Sequence, residues 1–130
     1  MANIPDDLHY SKDHEWVRVE GNVAVVGITD YAQDSLGDVV YVELPKVGDT
    51  FAANESFGSV ESVKAVSEVF CPISGDIAAV NESLNDTPEK VNEDPYGEGW
   101  LIKIEISDPK ELEELMSSKD YAAYIKEESE

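Results

Sequence analysis

One lysine stands in a setting that can support covalent chemistry. Lys64 lies near the middle of residues 57–70, and apolar residues on both sides of it predict two strands with a turn over residues 62–65. A lysine at such a tip projects a flexible stem and a nucleophilic amine into solvent, where a modifying enzyme can reach it. Glu61 and Glu68 frame this tip with acid. Taken alone, the pattern also fits an ordinary solvated surface lysine.

The other residues with chemical potential form no catalytic or metal-binding pattern. His9 and His14 have acids nearby, but their five-residue spacing matches no familiar zinc site, and we expect His14 to pack beside Trp16. Cys71 is the single cysteine, so it has no disulfide partner, and we expect a small, partly buried residue there. Residues 97–99 lack the third glycine of a nucleotide loop and predict a turn.

The charge balance narrows the range of partners. The chain fits one domain, residues 1–130, and carries 29 acidic against 9 basic side chains, for a net charge of −20. This excess repels phosphate backbones and anionic lipids, so we expect no nucleic acid and no membrane as partner, whereas basic docking surfaces are attracted. The same charge keeps a protein soluble and favours a monomer. The absence of a signal peptide predicts a cytoplasmic protein, or a mitochondrial matrix protein if a presequence was removed.

The elements that must position this lysine are mainly short strands. In addition to the pair that flanks the lysine, apolar patterns predict strands at residues 16–19, 23–26, 39–42 and 100–106. A short helix is expected over residues 31–36, with Thr29 or Asp30 as N-cap and Gly37 as its stop. Together the strands are expected to form a core over about residues 8–107.

The C-terminal segment changes to helical spacing. Asp108 is placed as an N-cap before a proline, and Glu111 stands at the capping-box position. A second short helix is expected from Ser118 onward. Helices over about residues 108–127 are therefore expected to close the core, with only residues 127–130 frayed.

The chain also carries a short internal similarity. Residues 37–42 and 75–80 each begin with Gly-Asp, continue into an apolar strand and end in valine. The two copies lie on either side of Lys64, as expected if two similar β halves pack face to face with the lysine at a hairpin tip. Gly-Asp before a strand is also ordinary turn chemistry, so the similarity alone does not establish the two halves.

The lysine segment resembles the lipoylation motif of the glycine cleavage H proteins. The motif is Glu61-Ser62-Val63-Lys64-Ala65, and biotin carriers usually have methionines where Val63 and Ala65 stand. Further blocks follow the family's order from about residue 8 to about residue 125: His14-Glu15-Trp16-Val17, Gly27-Ile28-Thr29-Asp30-Tyr31-Ala32-Gln33, Val42-Glu43-Leu44-Pro45, Pro72-Ile73-Ser74-Gly75, Asn92-Glu93-Asp94-Pro95-Tyr96 and Gly99-Trp100. The resemblance implies a mainly β fold, a lipoyl-type flattened barrel or sandwich of two quasi-symmetric halves with short helices and a C-terminal helical cap.

The resemblance implies a carrier and not an enzyme. The cofactor would be lipoate, held as a lipoyl amide on Lys64. The carrier would take the aminomethyl group of decarboxylated glycine from the pyridoxal-phosphate glycine decarboxylase (P protein) to the tetrahydrofolate-dependent aminomethyltransferase (T protein). It would then pass electrons to dihydrolipoyl dehydrogenase (L protein). A lipoate ligase or a lipoyl or octanoyl transferase would attach the arm.

The resemblance also implies a cleft that shelters the loaded arm. By motif position, Glu15 and Glu68 are the candidates to hold its ammonium group by charge-assisted hydrogen bonds, and Asp13 stands close by. Relatives often have a small hydroxyl residue at the position of Asp13, and some have histidine at that of Ser35. These two departures bear on how the arm docks and not on its attachment to Lys64.

Two other functions remain open at this level. A lipoylated protein of this kind can donate lipoyl groups to other acyl-carrying complexes, and a deletion strain supplied with lipoate would separate that role from glycine cleavage. A free-standing acidic hydrolase or metal enzyme would instead turn over its substrate without lipoate and would require His9 or His14.

Overall fold

A computed structural model of the chain describes residues 4–129. Its strands are β1 (His9–Tyr10), β2 (Glu15–Glu20), β3 (Val23–Ile28), β4 (Val39–Glu43), β5 (Thr50–Phe51), β6 (Ser56–Ser62), β7 (Val66–Phe70), β8 (Gly75–Val80) and β9 (Ile102–Ile106). They form a six-stranded sheet in the order β1-β2-β3-β9-β8-β5 and a three-stranded sheet in the order β4-β6-β7. All of the pairings are antiparallel.

The two sheets pack face to face over a shared apolar core. The core draws Val26, Ile77 and Ile104 from the larger sheet and Val42 and Val60 from the smaller one. The internal copies at residues 37–42 and 75–80 fall in opposite sheets, with β4 in one and β8 in the other. The predicted flattened sandwich is therefore confirmed, and the sheets do not close into a barrel.

The strands and the first helix begin and end close to the predicted residues. The helix α1 (Asp30–Leu36) starts at Thr29, whose hydroxyl accepts a hydrogen bond from the backbone N–H of Ala32 at 3.2 Å. It ends at Gly37, which has φ 83° and donates its N–H to the carbonyl of Gln33. This left-handed conformation favours glycine, because a side chain there would be strained. A further short helix, α2 (Lys90–Glu93), was not predicted.

The C-terminal segment is helical but differs in two details from the prediction. Asp108 caps a 3₁₀ helix, Pro109–Glu114, by accepting from the N–H of Lys110. The capping-box role of Glu111 was wrong, because its carboxylate instead accepts from the N–H and the hydroxyl of Ser74, each at 2.8 Å.

The final helix is longer than expected. The helix α3 (Ser118–Ser129) includes three of the four residues that were expected to fray, while residue 130 lies outside the described residues. No helix in the described part of the chain is both long and apolar enough to cross a membrane.

A buried tyrosine anchors α3 to the strands. The ring of Tyr121 stacks on Tyr10 at a centroid distance of 4.7 Å, and both side chains are fully buried. Its hydroxyl lies 2.7 Å from Oγ1 of Thr29 and 2.8 Å from Nδ1 of His14. The ring of His14 lies next to Tyr31 and Tyr124, two neighbours that the expectation of packing beside Trp16 did not include.

Removing the Tyr121 hydroxyl tests this anchor. We expect Tyr121→Phe to lower the free energy of unfolding by about 1–3 kcal/mol, because Thr29 and His14 lose a buried hydrogen-bond partner. Tyr124→Phe is the matched control on the same helix, since its hydroxyl donates to the carbonyl of Lys12 at the surface. The control should change stability by no more than about 0.5 kcal/mol. Equal effects of the two variants in urea unfolding would contradict the anchor.

Candidate functional site

The strand pair around Lys64 and the turn between them are confirmed. Lys64 is exposed in the turn that joins β6 to β7. The hydroxyl of Ser62 accepts from the backbone N–H groups of Lys64 and Ala65, at 3.3 and 3.1 Å. The backbone N–H of Ser62 donates to the carbonyl of Ala65 at 2.8 Å. A serine side chain that satisfies backbone donors in this way fixes a tight turn, so the lysine projects from a defined tip.

The other three members of the motif differ in exposure. Val63 and Ala65 are exposed on either side of Lys64. Glu61 is half-buried within β6, where it pairs across the strands with Tyr41 on one side and Val66 on the other. The motif therefore combines a turn that presents the amine with a strand residue that belongs to the outer face of the smaller sheet.

The segment that follows α1, residues 37–38, contacts the turn that carries Lys64. The N–H of Val63 donates to the carbonyl of Asp38 at 3.0 Å. The Cε of Lys64 passes so close to Gly37 that a Cβ there would lie 3.1 Å away, tighter than an ordinary contact. Glycine at this position therefore serves both the end of α1 and the path of the lysine stem.

Asn92 holds this supporting segment in place. Its amide Nδ2 donates to the carbonyl of Gly37 at 2.8 Å and to Oε1 of Gln33 at 2.9 Å, while its Oδ1 accepts from the N–H of Val39 at 2.8 Å. The sequence offered Asn92 only as part of a family block and gave it no role. Its partners lie more than fifty residues away in the chain, so no local pattern could have revealed them.

A cleft of about 450 Å³ opens beside the hairpin that carries Lys64. Asp13, Glu15 and Glu68, the three acids that motif position singled out, all line it, and so does Ser35. Apolar side chains form much of the remaining wall, among them Ile28, Leu36, Val60 and Val69. The structure thus brings the predicted acids together around one cavity, whose walls come from the start of β2, from α1 and from the β6–β7 hairpin.

The acids of the cleft differ sharply in exposure. Asp13 and Glu68 are exposed at the rim, whereas Glu15 is only 1% exposed. The Glu15 carboxylate accepts from the hydroxyl of Ser11 at 2.6 Å and from the backbone N–H of Phe70 at 3.2 Å. Burial raises the pKa of the Glu15 carboxyl to about 7, and the charge of Asp13 adds to the rise, while the two hydrogen bonds oppose it.

This arrangement suits a cation that enters along an apolar wall. A carboxylate at low dielectric attracts a positive group more strongly than one in water, because solvent screens it less. The exposed acids at the rim add further negative potential, and the apolar side chains can contact an aliphatic chain. The cleft can therefore hold a flexible arm that ends in an amine.

The fold and the site together describe a small β-sandwich that presents one lysine at a hairpin tip beside an acid-lined cleft. Residues 8–128 match the family model described as Glycine cleavage H-protein. The chain therefore belongs to the glycine cleavage H-protein family.

Curated relatives and a solved structure agree with this assignment. The glycine cleavage system H protein of Anaeromyxobacter sp. (strain K) is 61% identical over 96% of this chain and 98% of its own length. That of Symbiobacterium thermophilum is 58% identical over 98% of this chain and 99% of its own. The crystal structure of a glycine cleavage system H protein from Mycobacterium marinum is similar with a TM-score of 0.85 and 42% identity, over 92% of this chain and 97% of that one.

The raised pKa of Glu15 predicts a specific pH dependence of stability. The folded value of about 7 lies above the ordinary value of 4.5, so folding favours the protonated carboxyl. The stability that Glu15 contributes is therefore complete below pH 4.5 and is lost as the pH rises to about 7. In Glu15→Gln, the amide oxygen can still accept from the N–H of Phe70, the amide N–H can donate to Ser11 once that hydroxyl turns to accept, and the side chain has no charge to titrate. Between about pH 5 and pH 8, wild type should lose ~2.5 kcal/mol more unfolding free energy than this variant.

Urea unfolding across this pH range measures the difference. Glu113→Gln provides the control, because Glu113 is an exposed acid outside the cleft. Its stability curve should parallel that of wild type within about 0.5 kcal/mol. If the stability curves of Glu15→Gln and wild type were parallel, folding would not raise the pKa of the Glu15 carboxyl, and the prediction would be wrong.

Proposed function

We propose that this protein is the lipoyl-bearing carrier of a glycine cleavage system, with lipoate attached to Lys64 as an amide. It carries the aminomethyl group of decarboxylated glycine from the pyridoxal-phosphate decarboxylase to the tetrahydrofolate-dependent aminomethyltransferase, and then electrons to dihydrolipoyl dehydrogenase. The observation that carries the proposal is the exposed Lys64 at a fixed hairpin tip beside an acid-lined cleft, in a chain of the H-protein family.

The residues around the attachment point fit a lipoyl group. Lys64 is exposed, and the Ser62 hydroxyl fixes the turn through the backbone without contacting the lysine amine. When bound, the group supplies a disulfide that accepts the cargo and the electrons. The chain supplies the anchor, and the tether raises the effective concentration of that group at each partner enzyme.

The cleft supplies shelter. The apolar wall excludes water from an aliphatic arm, and Glu68, Glu15 and Asp13 face the positive end of the cargo. A charge-assisted hydrogen bond to one of these carboxylates holds the amine and keeps the labile carbon away from solvent. Ser35 stands on the same lining and gives the arm one further polar neighbour.

The chain itself contributes binding and positioning, and its one thiol is not poised for chemistry. Cys71 is buried, and burial raises the pKa of its thiol to about 12, with nearby Glu15 and Glu55 adding to the rise. A thiol of that pKa carries almost no thiolate at neutral pH, so it is a poor nucleophile. A carrier role therefore agrees better with the described residues than a thiol-based enzyme does.

Lipoylation of Lys64 is directly testable. Protein from lipoate-replete cells should show the lipoyl-amide mass increment, and peptide mapping should place it on the peptide that holds Lys64. Lys64→Arg should remove the increment, because a guanidinium is not acylated by the attaching enzymes. Lys46→Arg, at another exposed lysine in a loop, should keep it. An unmodified Lys64 in cells that lipoylate their other carriers would refute the proposal.

The shelter can be tested separately from the attachment. Aminomethyl-loaded protein is isolated, and the release of ammonia is followed in the absence of the aminomethyltransferase. Glu68→Gln should release ammonia about tenfold faster than wild type, as expected for the loss of one charge-assisted hydrogen bond. Glu82→Gln, at an exposed acid away from the cleft, should match wild type. If both Glu15→Ala and Glu68→Ala stay as slow as wild type, the shelter role is wrong.

A further inference from the structure

The side-chain amide of Asn92 binds the segment that supports the lysine turn on both sides of Asp38. Its Nδ2 donates to the carbonyl of Gly37 at 2.8 Å, and its Oδ1 accepts from the N–H of Val39 at 2.8 Å. The carbonyl of Asp38 accepts from the N–H of Val63, in the turn, at 3.0 Å. This carbonyl and the N–H of Val39 belong to one peptide group, so Asn92 and the turn bind its two opposite ends.

The hydrogen-bond partners of Asn92 require an amide. Its Nδ2 also donates to Oε1 of Gln33 at 2.9 Å, so the side chain acts as a donor and as an acceptor at once. A carboxylate offers the acceptor but no donor, and a methyl group offers neither. Because Gln33 belongs to α1, the amide that holds the segment behind the turn also holds the helix that precedes it.

The short helix α2, which carries this amide, and the loop after it are tied to the larger sheet. Val91 is fully buried in the core, and the carbonyl of Pro95 accepts from Nε1 of Trp16 at 2.9 Å. The hydroxyl of Tyr96 accepts from the N–H of Asp30, the first residue of α1, at 3.0 Å. The same stretch of chain therefore holds α1 at both of its ends and gives it a fixed base.

The lysine stem and one wall of the cleft meet where this amide acts. The helix α1 contributes Ser35 and Leu36, among others, to the lining of the cleft. The segment after it lies against the stem of Lys64, whose Cε passes close to Gly37. Among the described residues, Asn92 is not part of that lining. Its influence on the lysine and on the cleft must therefore pass through the backbone that it binds.

Resting on the proposed attachment of lipoate to Lys64, we propose that Asn92 is a positioning residue for the arm. It keeps the lysine turn and α1 at a fixed separation, so that an arm rooted at Lys64 starts beside the cleft wall. Without this amide, the peptide group between Asp38 and Val39 is held on one side only, and the turn can shift. The arm then spends less time in the cleft, and its cargo is more exposed to water.

Hydrogen exchange, measured by NMR on protein without lipoate, tests the support of the turn. In Asn92→Ala, the N–H of Val63 should exchange about tenfold faster than in wild type, because its acceptor is held less firmly. Asn81→Ala is the matched control, since Asn81 is a buried asparagine whose Nδ2 donates to the carbonyls of Glu98 and Trp100. Asn81 lies outside the described lining of the cleft, so exchange at Val63 should stay within about twofold of wild type.

The release of ammonia from lipoylated, aminomethyl-loaded protein tests the consequence for the arm. In the absence of the aminomethyltransferase, Asn92→Ala should release ammonia about fivefold faster than wild type, and Asn81→Ala within about twofold of it. Asn92→Asp retains the acceptor for Val39 but offers no donor to Gly37, so it should accelerate release as well. This second variant serves if the alanine variant does not fold.

Each outcome has a distinct meaning. If Asn92→Ala and Asn81→Ala lose similar stability in urea and release ammonia equally fast, general destabilisation explains the effect and the positioning role is wrong. If both variants of Asn92 release ammonia as slowly as wild type, the positioning role is wrong and the proposed function stands. An unchanged exchange rate of Val63 in Asn92→Ala overturns the role without reference to lipoate. If wild-type Lys64 is never lipoylated, the proposed function itself fails, and the positioning role fails with it.

Discussion

The cleft depends on one buried hydroxyl group, that of Tyr121. This group bonds to Thr29, which begins α1, and to His14, which leads into β2, so both of these walls are fastened to the C-terminal helix. The carbonyl of His14 also accepts from the N–H of Thr29 at 3.0 Å, and this bond holds His14 at a φ of 67° that side chains rarely adopt. The helix α3 therefore does more than cover the core, because it sets the separation between α1 and the segment that carries Asp13 and Glu15.

The electrostatics of the cleft follow from burying one carboxyl among many exposed ones. Most of the acids in the described part of the chain are exposed and hydrated, so each interacts only weakly with a single cation. Glu15 is different, because it is almost fully buried and its pKa rises to about 7. A cation that enters the cleft favours the ionised form of Glu15 and relieves the cost of burying that charge. The cleft therefore responds to a positive guest in a way that the exposed surface does not.

Local signals in the sequence were sufficient for much of the fold but not for the site. Thr29 and Gly37 bound α1 as predicted, and the turn at residues 62–65 forms between the expected strands, because caps and turns depend on near neighbours. Tyr121 was expected only to help close the core, and Asn92 received no role, because their partners His14 and Val39 are 107 and 53 residues away. For Glu111 the local signal was misleading, because its carboxylate accepts a hydrogen bond from the distant Ser74 and does not complete the capping box. Glu15 and Glu68 were proposed only through a family resemblance, because the surplus of acids conceals any pattern among them.

The open edge of the sandwich explains why Lys64 and one wall of the cleft lie on the same hairpin. The strand β7 is an edge of the smaller sheet, and the N–H of Phe70 there needs an acceptor that no neighbouring strand provides. The carboxylate of Glu15 supplies it from β2 in the other sheet. A single side chain thus connects β7 to β2 in the other sheet. In a closed barrel, hydrogen bonds between strands would continue at this edge. Closing that gap with strands would have removed the cleft, whereas leaving it open gives the β6–β7 hairpin two roles, with Lys64 at its tip and Glu68 on the cleft wall.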